Sequence, residues 1–129
     1  MVIGDLWKSL HNVVEGTFTD LSVFDFNGVY ILCDRNEKIV YVGSAYARTI
    51  KTRLQQYLRE NDSGNTLGKT IAKGLAGSKK YDTAAQEKMD EAISIIKELK
   101  IYAIKHKDLE YRIISQTKPQ YNNMGKYED

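Results

Sequence analysis

Two short segments, 28–32 (GVYIL) and 38–42 (KIVYV), flank the polar stretch Asp34-Arg35-Asn36-Glu37 and restrict this chain more than any other feature. Their β-branched and aromatic side chains suit a pleated surface, and the polar stretch between them suits a reversal, so the pair reads as an antiparallel hairpin. Asn36 is the turn residue best able to take a left-handed backbone conformation. Side chains alternate faces along a strand, so the turn decides where the tyrosines go. If Asp34 and Glu37 face each other, Tyr30 lies opposite Tyr41 and two phenols share one face. A three-residue turn slides the pairing by one and sets Tyr41 against Ile31 instead. The plainest role for such a pair is aromatic packing on a half-buried sheet.

Helical spacing dominates the rest of the chain. Leu6, Leu10, Val13 and Val14 fall on one face of a helix spanning about 5–15, with Gly16 expected to end it. After the hairpin, Ile50, Leu54, Tyr57 and Leu58 give a helix over about 47–59. A loop at 61–65 precedes a short helix over 66–75 that closes at Gly77. Ala85, Met89, Ala92, Ile96 and Leu99 form the apolar stripe of one long helix over 83–99. Segment 99–104 reads as a third strand, and Asp108 stands at the N-cap position of a helix running to about 117, with Pro119 just beyond. The expected architecture is α+β: a small central antiparallel sheet of about three strands flanked by helices, in one domain over 1–129. The N-terminal stripe, which includes Trp7, serves as core or as a homodimer surface; its periodicity favours core.

Composition removes several classes of function. No run approaches the roughly 20 apolar residues needed to span a bilayer, and Asp5 and Glu15 stand where an export signal needs a basic and then an apolar stretch, which points to a cytoplasmic protein with no membrane partner. Cys33 has no second cysteine to pair with, and His11 and His106 are too few to complete a Cys/His zinc site. The net charge of +2 hides an asymmetry: segment 44–80 carries eight basic residues against Glu60 and Asp62. A basic stretch of this kind in a near-neutral protein suits a phosphate backbone. Arg48, Lys51, Arg59, Lys69 and Lys73 are its candidate DNA contacts.

Ile50, Arg53, Leu54 and Tyr57 repeat at helical spacing, so Arg53 and Tyr57 share the face turned toward the sheet. A guanidinium on such a face needs an anion or an open cleft, because an unpaired buried charge is costly. Glu110 lies in the first turn of the last helix, where an acid ordinarily complements the helix dipole. It shares its stripe with Ile113, Ile114 and Thr117, however, and an inward-facing carboxylate at a cleft edge suits Mg²⁺. The stretch Pro119-Gln120-Tyr121-Asn122 reads as a post-helix turn.

Taken in order, Gly28-Val29-Tyr30, then Tyr41-Val42-Gly43 with the second tyrosine eleven residues after the first, an arginine on the next helix, a glutamate on a later one, and a proline and asparagine after it resemble the GIY-YIG nuclease family. The likeness covers roughly 26–123. It implies a GIY-YIG-like fold and a DNA endonuclease that hydrolyses phosphodiester bonds with one Mg²⁺ or Mn²⁺ ion. Tyr30 and Tyr41 match the motif tyrosines, Arg53 the family arginine, Glu110 the metal-binding glutamate and Asn122 the late asparagine, with Asn123 its neighbour and rival. Tyr57 occupies a position that is His in many members and Tyr in others, so imidazole base catalysis is not open to this chain there. Val29 and Val42 replace the eponymous isoleucines. The competing reading is a catalytically inactive nucleic-acid-binding module of the same fold.

Overall fold

The computed structural model describes residues 13–105 and 118–123. Four strands form an antiparallel sheet in the order β1-β4-β2-β3: β1 is Val14–Thr17, β2 Gly28–Cys33, β3 Ile39–Ala45 and β4 Lys100–Ile104. The helices are α1 (Ile50–Gln56), α2 (Thr66–Ala76), α3 (Thr83–Gln86), α4 (Met89–Lys97) and α5 (Gln120–Asn123), with a single 3₁₀ turn at Ser22–Phe24. The α+β class and the helix-flanked antiparallel sheet agree with the sequence reading. None of the helices among the described residues is long and apolar enough to cross a membrane.

β2 lies between β3 and β4, and all its residues are buried, so the sheet is covered on both faces. Tyr30, Leu32, Ile101 and Ala103 meet Ile50, Leu54, Leu67, Ile71, Met89 and Ile96 on one face. Val29, Ile31, Cys33, Ile39, Val42, Tyr102 and Ile104 form a second cluster on the other. Burial pushes the Cys33 thiol up to about 12, with Glu37 and Asp34 adding to the shift, so it stays an unreactive thiol. Gly28 lets β2 approach β4 closely: a Cβ there would lie 2.2 Å from the Ile104 carbonyl oxygen.

Several sequence expectations change. The sheet has a fourth strand because Val14 to Thr17 pair with β4, Val14 opposite Ala103 and Gly16 opposite Ile101. Exposure alternates along this segment with a period of two, so Val14 ends no helix and Gly16 stops none. The strand completes the free edge of β4, a tertiary demand that local helical spacing does not register. Residues 5–12 of the expected N-terminal helix, its dimer surface and the helix over 108–117 lie outside the described residues. The 83–99 helix divides in two: after Asp82 caps Ala85 N at 3.0 Å, Lys88 N turns back to the Ala85 carbonyl at 3.0 Å and the helix restarts at Met89. Its apolar stripe survives the break, with Ala85, Met89, Ala92 and Ile96 all buried.

The hairpin register is the most consequential correction. Tyr30 lies opposite Gly43 and Tyr41 opposite Leu32; the two tyrosines are not a directly opposed pair. At the loop end Cys33 pairs with Ile39, a register that, continued, would place Tyr41 against Ile31 on the far face. A bulge between these pairings inserts Val40 as an extra residue. Val40 and Tyr41 consequently both face the Tyr30 side, while Ile39 and Val42 face the other. In the loop, Asp34 Oδ1 accepts from Asn36 N at 2.9 Å and Lys38 N at 3.0 Å, and Glu37, not Asn36, takes the left-handed conformation (φ 62°).

Glu37 is held there from outside the loop. Its carboxylate accepts from Lys100 Nζ at 2.6 Å and from the Tyr102 hydroxyl at 2.8 Å, and these hydrogen bonds lower its pKa from the usual carboxylate value. A lowered folded-state pKa contributes stability above the unfolded value and loses it as pH falls through the folded one. Wild type should therefore exceed Glu37→Gln in urea midpoint at neutral pH, by a small margin because solvent screens the pair. The two curves should converge in acid; a gap that persists unchanged into strong acid removes Glu37 from this account.

Candidate active site

Three elements deliver the central side chains. β2 supplies Tyr30, β3 supplies Tyr41 through its bulge, and α1 with its C-terminal boundary supplies Arg53 and Tyr57. α1 begins where the sequence permits a cap: Thr49 Oγ1 accepts from Thr52 N at 3.2 Å. Ile50 N donates to the Phe26 carbonyl at 2.8 Å, which ties the start of the helix to the approach of β2. Ile50 and Leu54 then bury against the sheet, and the helical repeat carries Arg53 and Tyr57 to the same side.

The three tyrosine rings form a closed triangle. Their centroids are 6.3 Å (Tyr30–Tyr41), 6.2 Å (Tyr30–Tyr57) and 6.1 Å (Tyr41–Tyr57) apart, the last pair edge to face. The Tyr30 and Tyr57 hydroxyls share a short hydrogen bond in which either can donate. Tyr30 is 1% exposed and Tyr57 fully buried, whereas Tyr41 is only half-buried. Burial, with Tyr41 as the next contributor, holds the Tyr30 phenol well above its usual pKa, against the Tyr57 hydrogen bond and the charge of Arg53. Burial and Tyr30 raise Tyr57 likewise, again against Arg53. Both hydroxyls are therefore protonated near neutrality.

Gly43 makes room for this arrangement. A Cβ there would lie 2.3 Å from the Tyr30 hydroxyl oxygen and 2.4 Å from Cζ, so the phenol occupies the volume a side chain would need.

Arg53 closes one side of the triangle, with its guanidinium carbon 4.9 Å from the Tyr57 ring centroid. Nη1 donates to Gln56 Oε1 (3.0 Å) and to the Gly64 carbonyl (2.8 Å), and Nη2 donates to Thr66 Oγ1 (3.1 Å). All three acceptors are neutral, and no carboxylate among the described residues forms an ion pair with Arg53. Among the described residues the group is thus oriented without an opposing charge. Asn65 holds the loop that provides two of these acceptors. Fully buried, it accepts from Gly68 N at 2.8 Å and donates to the Tyr57 and Arg59 carbonyls, each at 3.1 Å. Sequence reasoning passed over Gln56, Gly64, Asn65 and Thr66. Only Asn65 carried a legible signal, standing as the N-cap ahead of the 66–76 helix.

Asn122 sits on the outer edge of β3. Its Oδ1 accepts from Val42 N at 2.7 Å and its Nδ2 donates to the Val42 carbonyl at 2.8 Å, so one amide side chain satisfies the backbone between Tyr41 and Gly43. Glu110 lies outside the described residues, and so does the side chain of Asn123. Of the basic candidates, Arg48 joins Arg53 in lining a depression of about 180 Å³ together with Ser44, Ala45, Tyr46 and Ala47. Arg59 instead pairs with Asp62 at 3.5 Å, and Lys69 stands 5.5 Å from the Tyr81 ring centre in a separate depression that includes Glu60 and Asp62. Lys51 and Lys73 are partly buried on α1 and α2.

A sequence model of the GIY-YIG catalytic domain matches residues 26–123, most of the chain. The chain belongs to the GIY-YIG family. This is a family of nucleases, and its fold is the one described above. No curated protein matches the chain. GIY-YIG nucleases generally use divalent metal ions. Around the tyrosine triangle the described residues offer phenols and a guanidinium, and among them no cluster of three carboxylate, imidazole or thiol groups occurs.

The geometry makes two substitutions informative. Gly43→Ala should displace the Tyr30 phenol, destabilise the domain by about 1–3 kcal/mol as overpacking does, and alter the near-UV circular dichroism of the tyrosines. Asn122→Ala leaves a buried N–H and carbonyl on Val42 unpaired, a loss of about 1–3 kcal/mol, read from urea midpoints. An unchanged midpoint in either variant contradicts the corresponding contact.

Proposed function

We propose that this GIY-YIG domain is a metal-dependent DNA endonuclease that hydrolyses phosphodiester bonds with one divalent ion. The observation that carries this reading is Arg53: a guanidinium fixed by three neutral acceptors beside a tyrosine cluster, with no ion-pair partner among the described residues. Such a cation is preorganised for an anion that arrives from outside.

In this reading the scissile phosphate sits against Arg53, which stabilises the charge gained in the pentacoordinate transition state. Tyr57, beneath the guanidinium, keeps it in place. A tyrosine would accept the proton of the attacking water, either as a phenolate or by passing its own proton on through a relay. Tyr41 is the better placed of the two motif tyrosines, because it is half-buried while Tyr30 is enclosed and its proton is held tightly by desolvation. Tyr30 would then orient Tyr57 and the ring triangle instead of meeting water itself. Glu110 would hold one Mg²⁺ or Mn²⁺, whose chemistry when bound is Lewis-acid stabilisation of the leaving oxygen. Asn122 acts through the Val42 backbone, keeping Tyr41 and Gly43 in register. Arg48 is the basic residue best placed to hold a neighbouring phosphate, with Lys51, Arg59, Lys69 and Lys73 contributing to the wider field, so binding should weaken steeply with salt.

The test is cleavage of linear, nicked and branched DNA by purified protein with Mg²⁺ or Mn²⁺, with the ends mapped. Arg53→Ala should lower the rate by about 10²–10³-fold, and Glu110→Ala should abolish metal-dependent turnover, both with unchanged far-UV circular dichroism. Equal cleavage by wild type and both variants overturns the site assignment. Salt-sensitive binding without turnover by wild type supports the binding-only alternative.

A further inference from the structure

The depression beside Arg53 has a feature that phosphate binding does not use. Tyr46 lines it and is 45% exposed, one of few large hydrophobic side chains of the described residues left so open. An exposed tyrosine alone means little. This one lies in the short connection between β3 and α1, and the backbone is pinned on both sides of Ala47: Asn27 Nδ2 donates to the Arg48 carbonyl at 2.6 Å and to the Tyr46 carbonyl at 3.2 Å. Asn27 immediately precedes β2, so the platform is tied to the strand that carries Tyr30. Arg48 and Arg53 line the depression together with Tyr46, and no carboxylate of the described residues does.

Two cations and an aromatic residue in one open depression match the parts of a nucleotide: arginine for phosphate, a ring for a base. Bases within a duplex are stacked on one another and offer no free face, so the ring suits a base that is unpaired. We propose that Tyr46 seats an unpaired nucleobase adjoining the phosphate held by Arg48 and Arg53, which would make a frayed end, flap or single-stranded segment the preferred substrate. The proposal rests on the reading of Arg53 as a phosphate-binding group.

The test is equilibrium binding, by fluorescence anisotropy in EDTA, of a labelled single-stranded oligodeoxynucleotide, an abasic oligomer of equal length, and the corresponding duplex. Wild type should favour the base-bearing single strand over the abasic one by about fivefold or more, the lower range for one base stacked on one aromatic ring. Tyr46→Ala should erase that preference with abasic and duplex binding unchanged, and Tyr46→Phe should retain it. Equal binding of the two single strands by wild type, a preference that survives in Tyr46→Ala, or an equal loss of duplex binding in that variant overturns the base seat. Arg53→Ala separates the two readings: it should weaken both single strands by the same factor. If both affinities are unchanged in Arg53→Ala while the Tyr46 preference stands, the phosphate reading fails and the base seat survives.

Discussion

One extra residue in β3 determines which side of the sheet receives Tyr41. The loop after β2 closes with Cys33 opposite Ile39, a register that would send the Tyr41 phenol to the far face among Val29 and Ile31. The bulge at Val40 moves every later residue of the strand along by one, bringing Tyr41 to Tyr30 and Gly43 under the Tyr30 ring. The place of Tyr41 in the triangle of phenols, against both Tyr30 and Tyr57, depends on that insertion. It disrupts the ladder locally, and Glu37 secures the adjoining loop through Lys100 and Tyr102 on β4.

Arg53 shows a second kind of constraint. Packing alone brings α1 to the sheet, but a long side chain at the end of a short helix has many rotamers, and ordering them costs entropy. The loop from Tyr57 to Thr66 removes that freedom with backbone and hydroxyl acceptors, and Asn65 fixes the loop in turn. Neutral acceptors orient the guanidinium without lowering its attraction for an incoming anion. A carboxylate in the same place would orient it as well and neutralise it.

Much of this was legible in the residues. The hairpin, α1, α2 with its Gly77 terminus and the β4 strand follow from local pattern, and the motif tyrosines with Arg53 converge as their order suggested. The failures share a cause: each depends on distant parts of the chain. Val14 and Gly16 form a strand because β4 has an open edge, not because of their own spacing. The direct Tyr30–Tyr41 pairing fails because a bulge leaves no compositional mark in Ile39-Val40-Tyr41, where every residue is strand-prone. Glu37 displaces Asn36 from the left-handed position because its carboxylate finds partners on another strand. Of the five basic candidates counted from the sequence, Arg59 and Lys69 also make contacts with Asp62 and Tyr81.

The position of Asn122 bears on the outer edge of the sheet. β3 is the outermost strand of the sheet, and an outermost strand exposes a row of donors and acceptors that any extended peptide can zip onto. The carboxamide fills that row at Val42, between the second motif tyrosine and its glycine, with the donor and acceptor spacing of a strand residue but no backbone for a further strand to follow. It works as a terminator: at Val42 the donor and acceptor that a further strand would need are already taken.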